Sequence, residues 1–311
     1  RIEKHITEYL NELAKADQQT PRPPKRKTAD LQNKIAKLKQ EMKRLKKLDA
    51  EMMATDDKQL SLTDPDARVM ATTRKNSGVV GYNVQTAVDT KHHIIVAHEV
   101  TNRVTDRNQL TPMAEKARQE MGTQKLTVLA DRGYFSGWDI LACQQAGMNA
   151  YVPKPLTSGN KGQGRFTKQD FRYDKKRDVY RCPAGETLIW RFAAEEKGKT
   201  IYKYWSSNCP SCTMKKQCTT SPFRRISRWE HEAIIDTMEA ALEKDPKKMG
   251  IRRQTVEHPF GTLKAWMGST HFLTKRLKGV STEMALHVLS YNMKRVMNIV
   301  GIKPLIKAIQ A

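Results

Sequence analysis

Two carboxylates and two cations carry the first chemical pattern in this sequence. The run KLTVLAD is apolar and too short for a helix, so it reads as a buried strand ending at Asp131. It leads into RGYFS, a loop bearing Arg132 and Gly133, and ligand and metal groups of α/β sheets gather at such strand ends. Far downstream, in RRQTVEHPFGTLK, Arg253, Glu257 and Lys264 follow at i, i+4 and i+11. On an ideal helix those spacings place the three within about 60° of one another. Val256, Phe260, Leu263 and Met267 form an adjacent apolar stripe, so the helix is expected to bury one side and present an acid flanked by two cations. Each feature also has an ordinary use. An Asp after a strand often caps the next helix, and charges at helical spacing often form a surface ladder of minor energy. Pro259 removes a helical hydrogen bond and disfavours helix at His258, which predicts a kink or a helix start there.

A second pattern is made of thiols. Cys182 in YRCPAGE and Cys209, Cys212 and Cys218 in CPSCTMKKQC combine one CxxC with two more distant cysteines. Four thiolates suit zinc in a reducing compartment, where a loop-rich insertion has little core of its own; the alternative is four free thiols packed in the insertion. Lys215, Lys216, Arg224, Arg225 and Arg228 crowd the same stretch and add a DNA-facing reading to it. Cys143 falls in a helical pattern and reads as core. His92, His93 and His98 lie on or beside a strand pair without a third ligand, and His258 has no spacing that demands a role. The five tryptophans, Trp138, Trp190, Trp205, Trp229 and Trp266, are scattered and predict no ordered stacking platform.

These residues need elements to hold them. Residues 1 to 53 read as two helices joined by the basic turn TPRPPKRK, the second carrying Leu31, Ile35, Leu38, Met42, Leu45, Leu48 and Met52 at spacings of three and four. That stripe packs the helices together, with a DNA-contacting role for Lys37, Lys39, Lys43, Lys46 and Lys47 as a weaker reading. GYNVQTAVD and HHIIVAHEVT form an antiparallel hairpin. Leu110, Met113, Ala117 and Met121 mark a helix stopped by Gly122; Ser136 and Gly147 bound another, and NAYVPK is a further strand. Residues 155 to 225 break the pattern as an insertion, and helical spacing returns over Trp229 to Met267 and Thr282 to Val300. The sum is a mixed sheet with helices on its faces.

Composition narrows the partners. Among 311 residues, 56 Lys and Arg oppose 33 Asp and Glu, a net charge of +23. So large an excess is met by a polyanion, and nucleic acid is the natural one. No apolar stretch spans a bilayer and the N-terminus has no signal-peptide core, so a cytoplasmic location and no membrane partner are expected.

ADRGYFSG, followed far downstream by Arg253, Glu257 and Lys264 as R-x3-E-x6-K, resembles the second Asp and the Glu signature of bacterial insertion-sequence DDE transposases. TDPDARVM, GYNVQTAVD, the cysteine insertion, EHPFGTLK and EMALHVLSYNMKRV extend the resemblance over essentially the whole chain. Related members carry a Tyr three residues before the Arg, where this chain has Gly250. The resemblance implies an RNase H-like α/β fold in four parts: a helical arm (1–60), a first part of the core (61–154), the cysteine-containing insertion (155–228) and C-terminal core helices (229–311). It implies a catalytic triad with Asp131 and Glu257 as two of three carboxylates binding two divalent ions, Mg2+ or Mn2+, and Arg253, Lys264 and Arg132 contacting DNA. The chemistry agrees: phosphodiester cleavage uses ions about 4 Å apart, magnesium takes hard oxygen ligands, and Arg and Lys hold phosphates. Its partners would be double-stranded DNA, as element terminal repeats and target, and further copies of the chain, in a nucleoid-associated setting.

An RNase H-like sheet has three antiparallel strands before its first helix, and two are visible before residue 108. The expectation is therefore a strand and first catalytic Asp upstream of Arg1, and a chain inactive by itself. Asp64, Asp66 and Asp89 are the in-chain substitutes; they lie in turn-like settings and are not assigned to catalysis. Two rival readings are a structure-specific nuclease that stops at hydrolysis and a non-catalytic, zinc-containing DNA-binding remnant.

Overall fold

The computed structural model describes residues 1–18, 25–55, 57–71, 78–155 and 159–310, and most of the expected turn TPRPPKRK lies outside them. Helices α1 (Ile2–Gln18) and α2 (Lys25–Met53) pack on each other, with Ile6 and Ile35 buried between polar faces. The stripe of α2 is only partly covered: Leu38, Met42 and Leu48 are half-buried and Leu45 is exposed. Strands β1 (Arg68–Ala71) and β2 (Gly78–Gly81) pair antiparallel, Arg68 opposite Gly81. The buried Arg68 side chain is held by Asp57. These elements belong to one compact unit, Arg1–Asn83 with Val100–Val104 and Leu273–Thr282; the rest of the chain forms a second.

Strands β3 (Asn83–Val88) and β4 (Ile95–Thr101), most of whose residues belong to the second unit, pair with each other. Helix α3 (Leu110–Glu120) buries Leu110, Met113, Ala114 and Ala117, a spacing of three and four. It ends at Gly122, whose φ of 57° is the left-handed stop that glycine accepts without strain. Strand β5 (Leu126–Leu129) is followed by α4 (Gly137–Gln145) and by β6 (Met148–Tyr151), which runs parallel to β5. The Ser136 hydroxyl caps α4 by accepting from the Asp139 amide. Leu110, Ile140, Cys143, Met148, Val152, Trp229, Ile235 and Met238 share one core here, and the fully buried Cys143 is part of it.

The cysteine-bearing stretch departs from the expected loop-rich insertion. Strands β7 (Arg172–Asp174), β8 (Val179–Arg181), β9 (Thr187–Glu196) and β10 (Lys199–Trp205), the helical turn α5 (Lys215–Cys218) and β11 (Ile226–Trp229) give a five-stranded sheet in which every pairing is antiparallel. Its own core is Phe171, Tyr180, Leu188, Tyr204 and Ile226. Lys197 and Gly198, both at positive φ, make the tight β9–β10 turn that matches strand twist. The Lys199 ammonium lies 4.4 Å from the Trp229 ring centroid and 5.6 Å from that of Trp138, tying the turn end of this hairpin to α4.

Trp229 ends a strand, so helix begins later than its periodicity predicts, at α6 (Glu232–Lys244). Helix α7 (Lys247–Gly261) runs through Pro259 and widens into a π-helical turn, Thr262–Trp266. A proline that deprives the ladder of a donor is a common cause of such local irregularity. Helices α8 (Arg276–Val300) and α9 (Ile302–Gln310) complete the chain. Parallel strands joined through a helix, with helices around them, make the mixed α/β architecture of an RNase H-like domain. Among the described residues no helix is long and apolar enough to cross a membrane.

Candidate active site

Asp131 lies two residues beyond the end of β5 and caps a 3-10 turn, Arg132–Tyr134, its carboxylate accepting from the Gly133 amide at 2.8 Å. The capping use is thus realised, but it engages one oxygen and leaves the side chain about half exposed. Asp106 faces the same space. A Cβ built on Gly133 would meet Asp106 Oδ2 at 2.9 Å and Asp131 Oδ1 at 3.0 Å, so the two oxygens lie within about 6 Å of each other. A side chain in place of this glycine of DRGYFS would crowd both carboxylates and shift the Asp106 carboxylate.

The supports of this pair come from inside the fold. Gln85, fully buried on β3, donates from Nε2 to Asp106 Oδ1 at 2.9 Å and accepts from the Tyr134 hydroxyl. Burial, together with the charges of Asp106 and Asp131, raises the pKa of Tyr134 well above the ordinary phenol value. The hydroxyl therefore stays a donor and Gln85 keeps one orientation. The Arg252 guanidinium lies 3.8 Å from Asp131 Oδ2. Two accessible carboxylates with hard oxygens fit a divalent ion such as Mg2+ in donor chemistry. Among the described residues, however, no three His, Cys, Asp or Glu are drawn together closely enough to hold a metal.

Helix α7 packs beside β5, and its buried line is Thr255, Pro259 and Leu263 rather than the expected Val256, Phe260, Leu263 and Met267. Arg253, Glu257 and Lys264 are all exposed, the Lys264 ammonium 6.0 Å from the Phe260 ring centroid. The cation that reaches Asp131 is Arg252, the neighbour of the expected Arg253. Arg132 is exposed on the 3-10 turn. His258 is tied up structurally: its Nδ1 lies 3.0 Å from the Tyr291 hydroxyl, its ring stacks on His93, and burial with Arg295 nearby lowers its pKa.

The other acids have structural work. Asp64 accepts from the Tyr82 hydroxyl at 2.7 Å and, with Asp66, from the Arg276 and Leu277 amides that open α8. Asp89 accepts from the His92 amide at 2.6 Å in the turn after β3. Sequence reading missed Asp106, whose only signal, an acid just before a helix, is shared with any capping residue.

The four insertion cysteines, which are not paired as disulfides, line one small cavity together with Phe166, Phe171 and Arg224. Burial raises the Cys218 pKa, and the nearby Cys209, Cys182 and Cys212 raise it further against the lowering effect of Arg224.

Residues 47–293, most of the chain, match the family model described as the transposase DDE domain, and the chain belongs to that family. Comparisons with curated proteins and with solved structures give no match. The family carries out nucleotidyl transfer on DNA and generally uses divalent metals such as Mg2+.

Asp106→Asn is expected to weaken Mn2+ binding by about ten- to a hundredfold, the usual effect of removing a group that shapes a metal site, as read by titration calorimetry. An unchanged affinity would exclude Asp106 from the site. Gly133→Ala is expected to act in the same direction by forcing the two carboxylates apart.

Proposed function

We propose that this chain supplies two of the carboxylates, Asp131 and Glu257, that hold divalent ions in a reaction that cleaves the ends of a DNA element and joins them to target DNA. The observation that supports it most is the position of Asp131. It stands at the end of β5 in a chain of the DDE transposase family, half exposed, with a second carboxylate facing it. Asp131 and Glu257 would bind the ions, and Asp106 would set the approach of Asp131. Arg253, Lys264 and Arg132, exposed on α7, its π-helical turn and the 3-10 turn, would hold phosphates. Bound ions activate the attacking hydroxyl or water and stabilise the leaving oxygen. The test combines labelled DNA carrying the genomic flanks of this reading frame, a target duplex and Mg2+ or Mn2+. Joined product supports the proposal and overturns the expected inactivity of the chain by itself; cleavage without joining identifies a nuclease, and duplex binding that gains no Mg2+ or Mn2+ dependence from Asp131 and Glu257 identifies a DNA-binding remnant.

The insertion supports a second metal. The four thiols line one cavity with no disulfide between them; no three of them stand close enough to hold a metal as placed, but their chemistry is the donor set of structural zinc, which would draw the loops after β8 and β10 together. Mass spectrometry under native, reducing conditions is expected to find about one zinc per chain and none in Cys212→Ser. Metal-free wild-type protein would remove this part of the reading.

A further inference from the structure

An antiparallel sheet that packs one face on a core normally turns a polar face to water. The insertion sheet does not. Its inner face carries Tyr180, Leu188 and Tyr204. On the outer face Ile189 lies opposite Trp205 and Phe192 opposite Lys203, because a bulge at Arg191 shifts the register between the two pairs. Ile189 and Phe192 are 45% and 42% exposed. The Phe192 and Trp205 rings meet edge to face at 5.8 Å, and Phe223 lies 6.5 Å from Trp205 on a tilted plane.

Cations are built into this aromatic face. The guanidinium carbons of Arg191 and Arg225 each lie 5.3 Å from the Trp205 ring centroid. Arg191 is fixed by donating to the Trp205 carbonyl at 3.3 Å and to Ser207 Oγ at 2.8 Å. Among the described residues neither guanidinium has a carboxylate partner, whereas Lys203 is paired with Glu196. Flat rings, flat guanidinium groups and unneutralised positive charge on one strand pair are what stacked bases and their phosphates require. Duplex DNA offers stacked bases no such access; an unpaired strand does.

We propose that the Ile189–Phe192–Trp205 face of the insertion, with Arg191 and Arg225, binds single-stranded DNA by stacking. The occupant is an unpaired segment of the DNA the protein works on, so the inference rests on the transposase reading. Trp205 is the centre of a cluster whose other members are phenylalanines and arginines.

The experiment measures anisotropy of a labelled twenty-nucleotide oligo-dT and of a twenty-base-pair duplex with the full chain, wild type and the Phe192→Ala/Arg225→Ala variant. Loss of one or two stacked bases predicts at least a tenfold weaker oligo-dT affinity, with duplex affinity reduced less than about threefold. Phe192→Tyr is expected to retain oligo-dT binding, and both variants should melt with the wild type because the altered side chains are exposed. Wild-type protein that binds duplex but not oligo-dT overturns this inference and leaves the transposase reading intact. Equal losses on both ligands, or no loss, also overturn it. Failure of the wild type to bind either DNA overturns the transposase reading itself. A change from dimer to monomer in the variant without loss of oligo-dT binding would reassign the face to self-association.

Discussion

Asp131→Asn is expected to lower strand transfer at least about a thousandfold, because a neutral amide loses the charge that holds a divalent ion at the reacting phosphate. Duplex affinity should change by less than about threefold, since one carboxylate contributes nothing to phosphate neutralisation. The fold should tolerate the change. An Asn side-chain oxygen can still accept from the Gly133 amide, so the 3-10 turn keeps its cap. Glu257→Gln is expected to match it in size, and the double variant to lose little more than either single one, as groups serving one site are non-additive. The assay is the joining reaction described above, with duplex anisotropy as the control for folding. Wild-type rates in Asp131→Asn would remove Asp131 from the chemistry and leave it a capping residue.

Glu232→Gln carries the largest expected stability effect. Glu232 opens α6 with its side chain only 8% exposed, ion-paired to Lys168 at 2.7 Å and Lys154 at 3.1 Å and accepting from the Trp229 amide at 3.1 Å. Burial by itself would raise its pKa, but Lys168 and Lys154 overcome this and hold it down to about 2. The two ammonium groups respond differently. Burial depresses both; Glu232 and Glu239 together more than offset this for Lys154, while Lys168, close to Lys154 and Arg228, stays below the ordinary lysine value. Neutralising Glu232 leaves Lys168 without its carboxylate and Lys154 with Glu239 alone, two neighbouring half-buried cations sharing one acid.

From the ordinary carboxylate value of 4.5 the shift corresponds to about 3 kcal/mol, within the range seen when one member of a buried pair is removed. The folded-state pKa is lowered, so this stabilisation is complete above pH 4.5 and is lost as pH falls towards 2. Denaturant melts of wild type and variant should differ by about 3 kcal/mol at pH 7 and converge progressively below pH 4.5. Adding Lys168→Met to the variant should recover part of the loss. A difference under about 1 kcal/mol at pH 7, or one that persists unchanged at low pH, would show that the pairs are peripheral.

How far each element was legible depended on how local its cause is. The helix over residues 110–120, with its glycine stop, and the Ser136-capped helix were readable because spacing and caps act within a few residues. The five-stranded insertion sheet was obscured because its strands are short and separated by Gly-rich and Cys-rich loops, although Lys197–Gly198 between two aromatic runs was a hairpin signal. On α7 the buried side was misread. Pro259 and Thr255 have no strong apolar signature, yet they line the packed face and turn Glu257 outward. Arg252 and Arg253 are equivalent in sequence, and only the rotation of the helix selects Arg252 for Asp131.

The sequence by itself determined the family, the polyanionic partner implied by a charge of +23, and the residue types for metal and phosphate chemistry, all of which follow from composition and motif spacing. Tertiary structure alone decided which groups meet. Asp106, held by a buried glutamine twenty-one residues away, faces Asp131 across Gly133, four thiols from separate loops line one cavity, and a bulge turns Phe192 towards Trp205. Those juxtapositions depend on strand register, on which face of a helix is buried and on which loops pack together, properties of the whole fold that no local run of residues encodes.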